Sequence, residues 1–418
     1  MSKLNKYVFC NYSESEQQIV LYNTYTQEMC MIESSDGNID EALQKLTSTQ
    51  EEYLSDHLFF EEKNNVRIDA LVESTRNKVK YSRKGASFTI HLSYGCNMKC
   101  SYCYQNDVKA NLSIDDKTEQ DLYFFFEKVN KLNELEAIDV VFIGGEPLLF
   151  ADLMFRMIER INTIFAAQEK RFAIITNGTL FSDSLVDRLK QIPWSYIQVT
   201  IDGPKDVHNG QRMFKNNKAS FDTIVAGIQK CNVVSLPVVI NINVGKNNYN
   251  RVSELLSYLQ QHGIRNQIQF SYIFECAGDA LIKNSIADFS EDYWYQAHLV
   301  AKQYGYHFSP FYRLSYLVCG SCRVNDFVIS PDGKLYKCIS GIGKEEYFLS
   351  DITEYATEEY WKRLSQFVEY ENLKEKCYQC KYEIVCGGWC RYKKDVYGEY
   401  CPFEELEKND MKMIFECI

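Results

Sequence analysis

The chain has 418 residues, 45% of them hydrophobic and 25% charged, with a net charge of −11 and sixteen cysteines. That is the composition of an ordinary soluble globular protein: it has no apolar run long enough to span a bilayer, and its acidic balance argues against nucleic acid as the main partner. The N-terminus leads into strand-like residues rather than a signal-peptide core, which predicts a cytoplasmic location. In that reducing compartment the cysteine count points to metal or cluster ligation and away from a disulfide scaffold.

Residues 1–86 read as a small α+β domain, with strand-like runs at 6–11, 18–22 and 28–32. Apolar residues three and four apart then predict helices over 40–46 and 51–60. From 87 to 309 strands and helices alternate, the pattern of a parallel sheet with crossover helices. Candidate strands lie at 88–93, 138–143, 172–176, 196–201, 238–244 and 268–273. Six such units make a partial (β/α)6 TIM barrel, an α/β fold whose reactive groups come from the carboxyl ends of the strands. The clearest helix follows Asp115 and Asp116, where acids suit the helix dipole, and repeats Leu122, Phe125, Phe126, Val129 and Leu132 at helical spacing.

Cys96, Cys100 and Cys103 stand in the loop after the first of these strands, with gaps of three and two residues. A cubane iron–sulfur cluster held by four cysteines carries electrons, whereas one held by three presents a Lewis-acidic iron to a ligand that is not protein. A zinc site is the alternative, although no fourth ligand lies close by in the sequence. The later strand ends carry Gly144-Gly145-Glu146-Pro147, Thr176-Asn177-Gly178 and Thr200-Ile201-Asp202-Gly203-Pro204, followed by His208-Asn209-Gly210-Gln211-Arg212. Taken with Tyr102 directly before the last cysteine of the triplet, these motifs resemble the signature of radical S-adenosylmethionine (SAM) enzymes.

The resemblance implies a [4Fe-4S] cluster on Cys96, Cys100 and Cys103 and SAM on its open iron. It further implies SAM contacts from Tyr102, Gly144, Gly145, Glu146, Pro147, Asn177, Thr200, Asp202 and Arg212. The Gly145 and Glu146 region would meet the amino group, Thr200 the ribose and Arg212 the carboxylate. Asn209 departs from the family's more frequent Asp. His208, taken alone, is more often structural than a ligand.

After about residue 310 cysteines return: Cys319-x2-Cys322, Gly333-x4-Cys338, Cys377-x2-Cys380-x5-Cys386-x3-Cys390, and Cys401. Spacing alone leaves zinc and iron–sulfur on equal terms. The whole set resembles the SPASM extension of radical SAM proteins, over 310–401. That resemblance implies two auxiliary [4Fe-4S] clusters, three in all. One would be held by Cys319, Cys322, Cys338 and Cys390, the other by Cys377, Cys380, Cys386 and Cys401. If only one of Cys319 and Cys322 binds, the first of these keeps an open iron. Cys10, Cys30, Cys231, Cys276 and Cys417 remain as buried apolar fillers, and 402–418 reads as a closing helix with Leu406, Met413 and Ile414 on one side.

SPASM proteins of this kind include peptide crosslinkers, sulfatase maturases and makers of peptide-derived cofactors. Sulfatase maturases carry an Asp directly after the Gly-x4-Cys cysteine, where this chain has Ile339, and begin their barrel nearer the N-terminus. The expected activity is therefore maturation of a ribosomally made peptide (RiPP), forming a thioether or carbon–carbon crosslink. Residues 1–86 resemble the domain with which such maturases hold a leader peptide at a sheet edge, and an electron donor such as flavodoxin or ferredoxin is implied. The same machinery acting on another protein or a small molecule is a second expectation. A non-catalytic zinc module is a third.

Overall fold

The computed structural model describes residues 3–61, 68–103, 105, 112–245, 248–272, 293–307, 318–370, 373–388, 390–397 and 401. Tyr104, Cys276, Cys417 and the expected closing helix over 402–418 lie outside the described residues. The chain forms two compact units, one of 1–81, 310–323 and 369–418, the other of 82–309 and 324–368.

In the first unit β1 (Val8–Ser13), β2 (Gln18–Asn23) and β3 (Glu28–Glu33) make an antiparallel sheet in that order. Helices α1 (Ile39–Gln44) and α2 (Ser48–Asp56) follow. Their starts are written locally. Asn38 Oδ1 accepts from the N–H groups of Asp40 and Glu41, and Thr47 and Gln50 form a reciprocal capping box. The second helix ends four residues earlier than its spacing predicts. Leu58 takes a left-handed φ of 59°, and the chain turns Phe59 and Phe60 into a core with Ile19, Leu21, Ile32, Ala42 and Leu54. A third helix, α3 (Ile68–Lys80), was not anticipated. It packs Ile68 and Val72 against Tyr7 and against Ile384 from the cysteine-rich segment.

The second unit is built on the six expected strands: β4 (Gly85–His91), β6 (Ala137–Ile143), β7 (Glu169–Thr176), β8 (Trp194–Thr200), β10 (Val238–Val244) and β11 (Gln267–Tyr272). Neighbours in this series pair in parallel, as a partial barrel requires. Helix α4 (Asp116–Leu132) is capped by Asp115, whose carboxylate accepts from the Thr118 N–H at 2.8 Å. It buries Leu122, Phe125, Phe126 and Val129, while Leu132 stays 44% exposed, so the apolar face ends one turn early.

The sheet does not stop at the barrel. β12 (Asp326–Ile329) pairs in parallel with β4, and β13 (Lys334–Tyr336) and β14 (Phe348–Asp351) extend the sheet to nine strands among the described residues. The contact division thus runs differently from boundaries at 86 and 310, and the reason is packing. Phe327 stacks on Phe88 with ring centroids 5.7 Å apart, and Tyr355 meets Phe125 edge-on at 5.1 Å. Aromatic pairs of this kind add about 0.5–1.5 kcal/mol each beyond the apolar area they bury. No helix of the described residues is long and apolar enough to cross a membrane.

Candidate active site and cysteine sets

The carboxyl end of β4 runs straight into the thiol triplet, and two backbone devices hold that loop. β5 (Met98–Cys100) pairs antiparallel with β9 (Arg212–Phe214), setting Cys100 opposite Arg212. The end of β6 supports it from the other side. Gly145 N–H donates to Ser93 O at 2.8 Å, and Glu146 N–H to Gly95 O at 2.9 Å. A Cβ on Gly144 would stand 2.3 Å from Ser93 O, and one on Gly145 2.3 Å from Gly95 O. Both positions must therefore be glycine for the strand end to lie against the triplet's own loop.

Glu146 is 1% exposed and acts as a clasp. Its carboxylate accepts from Leu148 N–H (3.0 Å), Thr176 Oγ1–H (2.6 Å) and Asn177 N–H (2.7 Å), tying the end of β6 to that of β7. Burial pushes the carboxyl up, and these donors oppose the shift. Pro147 opens the short 3₁₀ turn Pro147–Phe150. Asn177 donates to Asn97 Oδ1 at 2.8 Å and lies 3.8 Å from the Cys96 sulfur.

Tyr102, Asp202 and Arg212 form one network. The Tyr102 hydroxyl donates to the Asp202 carboxylate and accepts from Arg212 Nη1 at 2.7 Å. Asn243, in β10, donates its backbone N–H to Asp202 at 3.1 Å and its side-chain amide to Asp202 at 3.0 Å and to Tyr102 at 3.1 Å. Sequence reasoning missed Asn243. Its signal was the Asn241-x-Asn243 alternation, two polar residues on one face of an otherwise apolar strand. Asp202 is fully buried and Arg212 8% exposed. Burial pushes the Asp202 carboxyl up, and the Arg212 guanidinium opposes it. Arg212 Nε is buried with no hydrogen-bond partner, an unusual cost that a bound acceptor would remove. Thr200, at the end of β8, is also buried.

His208 supports this network from behind. Its Nδ1 accepts from Asp202 N–H at 3.2 Å and its Nε2 lies 3.1 Å from Ser220 Oγ, which donates to Arg212 O at 2.5 Å. An accepting Nδ1 fixes the neutral ring with its proton on Nε2. Burial, with Arg212 nearby, holds its pKa down to about 3. Asn209 Oδ1 accepts from Ser220 and Phe221 N–H at 3.0 and 3.1 Å, capping α5 (Phe221–Val233). The position uses only an acceptor oxygen, so Asn serves there as Asp would.

Neutral buried His208 has a consequence for stability. The unfolded chain binds a proton near pH 6.5 and the folded one does not until about pH 3, so stability is intact above 6.5 and falls on acidification through that window. The slope contributed is up to about 1.4 kcal/mol per pH unit. Denaturant unfolding between pH 7 and 5 should show it, and His208→Gln, which keeps an acceptor and a donor but cannot charge, should remove this share and leave the like one from His91, which burial holds down to about 4.

The triplet thiols are close enough to influence one another. Burial pushes Cys100 up to about 12 and raises Cys96 and Cys103, while the Arg212 charge lowers all three. Met98 N–H points at the Cys96 sulfur at 3.4 Å. Among the described residues no three of His, Cys, Asp and Glu converge on a single-ion site. Thiolates on different corners of a cubane stand farther apart than ligands of one ion. Three free thiols, a neighbouring guanidinium and a backbone donor to sulfur fit an anionic iron–sulfur cluster.

The later cysteines fall into groups. Burial pushes Cys386 up to about 12, and Cys401, Cys377 and Cys380 push it the same way; Cys380 likewise feels Cys401 and Cys377. Those four were expected together. Cys322 and Cys390 each interact with Cys319, in the same unit. Cys338 follows β13 in the barrel unit. Of the cysteines expected as buried fillers, Cys231 is fully buried in α5, whereas Cys10 and Cys30 are only half-buried against the N-terminal core; burial pushes all three up, and no thiol of either group acts on them.

Comparison with known proteins agrees with this layout. Residues 90–259 match the model of the Radical SAM superfamily. The cysteine-type anaerobic sulfatase-maturating enzyme of Clostridium novyi is 24% identical over 331 residues, 72% of this chain and 87% of that one. In other curated relatives the alignment covers as little as 40–57% of their length. Among solved structures, native anSMEcpe with bound AdoMet and Kp18Cys peptide superposes with a TM-score of 0.65 at 20% identity, over 80% of this chain and 99% of that one. Streptococcus suis SuiB bound to precursor peptide SuiA superposes at 0.57 and 15% identity, over 96% and 98%. The thiol triplet and the strand ends around it fall within the residues that match the Radical SAM superfamily model, whose members are enzymes that use SAM with a [4Fe-4S] cluster.

Proposed function

We propose that this enzyme matures a ribosomally made peptide, binding its leader at the N-terminal sheet and closing a thioether or carbon–carbon crosslink in its core. The observation that carries the reading is β3. It pairs with β2 alone, leaves its other edge without a strand among the described residues, and exposes Met29 and Met31 by 40% and 53%. An open edge with apolar side chains at alternate positions suits an extended peptide added as a further strand. SuiB, similar along nearly the whole chain, was solved with a precursor peptide.

When bound, the cluster and SAM supply hydrogen-atom abstraction from an unactivated carbon. The chain's own residues bind, aim and exclude water. Cys96, Cys100 and Cys103 would hold the cluster, Arg212 would turn Nε toward the SAM carboxylate, and Thr200 would face the ribose. Tyr102, Asp202, Asn177, Gly144, Gly145 and Pro147 would shape the rest of the pocket, and Glu146 has one carboxylate lone pair left for the amino group. Cys377, Cys380, Cys386 and Cys401 would hold one auxiliary [4Fe-4S] cluster; Cys319, Cys322 and Cys390, with Cys338, would hold another. Oxidative crosslinking needs such an electron acceptor, and the enzyme would work in the cytoplasm with a flavodoxin- or ferredoxin-type donor.

A second reading, oxidation of a cysteine in another protein, is favoured by the extent of the alignment with the Clostridium novyi enzyme. Ile339 stands against it. The test is anaerobic turnover with SAM, reductant and a precursor peptide encoded beside the gene. We expect a product lighter by two hydrogens from the leader-bearing peptide. Met29→Glu with Met31→Glu should raise KM roughly tenfold or more while leaving peptide-free deoxyadenosine formation unchanged. Conversion of a sulfatase-type cysteine peptide, with none of the precursor, would overturn the reading.

A further inference from the structure

Glu383 stands midway between Cys380 and Cys386, on the one-turn helix Glu383–Cys386. It has no place in the SAM network, yet it is a carboxylate only 5% exposed. Its partners all come from the N-terminal 81 residues. Arg76 of α3 pairs with Oε1, Tyr7 OH donates to Oε2 at 2.9 Å, and Lys6 Nζ lies 3.5 Å from Oε2. Asp69 closes the group, 2.8 Å from Lys6 Nζ and 3.0 Å from Tyr7 OH. Apolar contacts surround it: Ile384 packs with Tyr7, Ile68 and Val72, and the Tyr382 ring lies 5.3 Å from that of Phe9.

The backbone beside Glu383 carries the cysteine loop. Its N–H donates to Cys380 O at 3.2 Å, its carbonyl accepts from Gly387 N–H at 2.9 Å, and Cys386 N–H donates to Tyr382 O at 2.8 Å. Tyr382 N–H points at the Cys380 sulfur at 3.4 Å. A residue whose side chain is clamped by the N-terminal residues while its main chain spans two thiols sets the spacing of those thiols.

We propose that Glu383 is a positioning residue for the second auxiliary cysteine set and that Lys6, Tyr7 and Arg76 hold it in place. The N-terminal segment is then a structural part of the cluster holder as well as a surface for peptide. Breaking a buried ion pair from one side strands a charge, whereas replacing both partners with apolar groups is often neutral. That asymmetry gives the test. The inference rests on the reading that Cys377, Cys380, Cys386 and Cys401 hold a cluster.

The experiment is iron per chain, with the electron paramagnetic resonance spectrum of each reduced cluster, for reconstituted wild type, Arg76→Met, Glu383→Gln and the double variant Arg76→Met with Glu383→Leu. Arg76→Met should lose about four irons and one spectral component while the SAM-responsive component persists. Glu383→Gln, which keeps hydrogen bonds to Tyr7 and Arg76, should retain most of that iron, and the double variant should recover it. Full iron and an unchanged spectrum in Arg76→Met, or equal loss of the SAM-responsive cluster, would overturn the inference. Wild type with only about four irons would instead sink the reading beneath it.

Discussion

Cys100→Ala is expected to abolish SAM cleavage. Cys100 is the thiol that β5 sets opposite Arg212, so its loss removes both a proposed cluster ligand and the partner of the guanidinium that faces the triplet. Two remaining thiolates would leave the cluster with two of its three protein ligands. Since outer-shell substitutions alone cost about 10–100-fold in metal affinity, losing a ligand should exceed that. Deoxyadenosine from SAM under a strong reductant should fall at least about 100-fold, with about four irons lost per chain. Cys231→Ala, deep in α5 and untouched by the charge of either thiol group, is the control and should keep the wild-type rate. Cleavage persisting in Cys100→Ala would remove the triplet from the chemistry.

Cys380→Ala should separate the two halves of the reaction. It strikes the group of Cys377, Cys380, Cys386 and Cys401, leaving the triplet, Glu146 and the Tyr102–Asp202–Arg212 network intact. Deoxyadenosine should therefore continue to form, within about threefold of wild type. Crosslinked product should drop at least about 100-fold, because closing the bond releases an electron that needs an acceptor. The ratio of deoxyadenosine to product, measured over one time course, reads this directly. Full product from Cys380→Ala would remove the electron-acceptor role from that group.

The parts legible in the sequence are those written locally. Six barrel strands, the Asp115 cap and the triplet at the first strand end follow from periodicity and spacing within a few tens of residues. The grouping of Cys377, Cys380, Cys386 and Cys401 came from the resemblance of the module rather than from spacing, and these four thiols do influence one another. What escaped depends on partners distant in sequence. Nothing near Asp326 says that its strand will pair beside Ser87, because that pairing is decided by Phe327 finding Phe88. Glu383 reads as a surface acid until Arg76 and Tyr7 arrive from the other end of the chain. The Gly144-Gly145 pair was legible as a motif, but its reason was not: the close neighbour is the backbone of Ser93 and Gly95, so the glycines bring the strand end against the triplet's own loop. His208, Ser220 and Asn209 show the same limit, as each serves the site by holding another residue.

The most direct test of the account is iron and sulfide per chain after anaerobic reconstitution, measured together with deoxyadenosine formed from SAM under a strong reductant. About twelve irons with deoxyadenosine well above the reductant-only background are predicted, from one cluster on the triplet and two on the later cysteines. A fully loaded protein that forms no deoxyadenosine, or zinc in place of iron at the later cysteines, would contradict it.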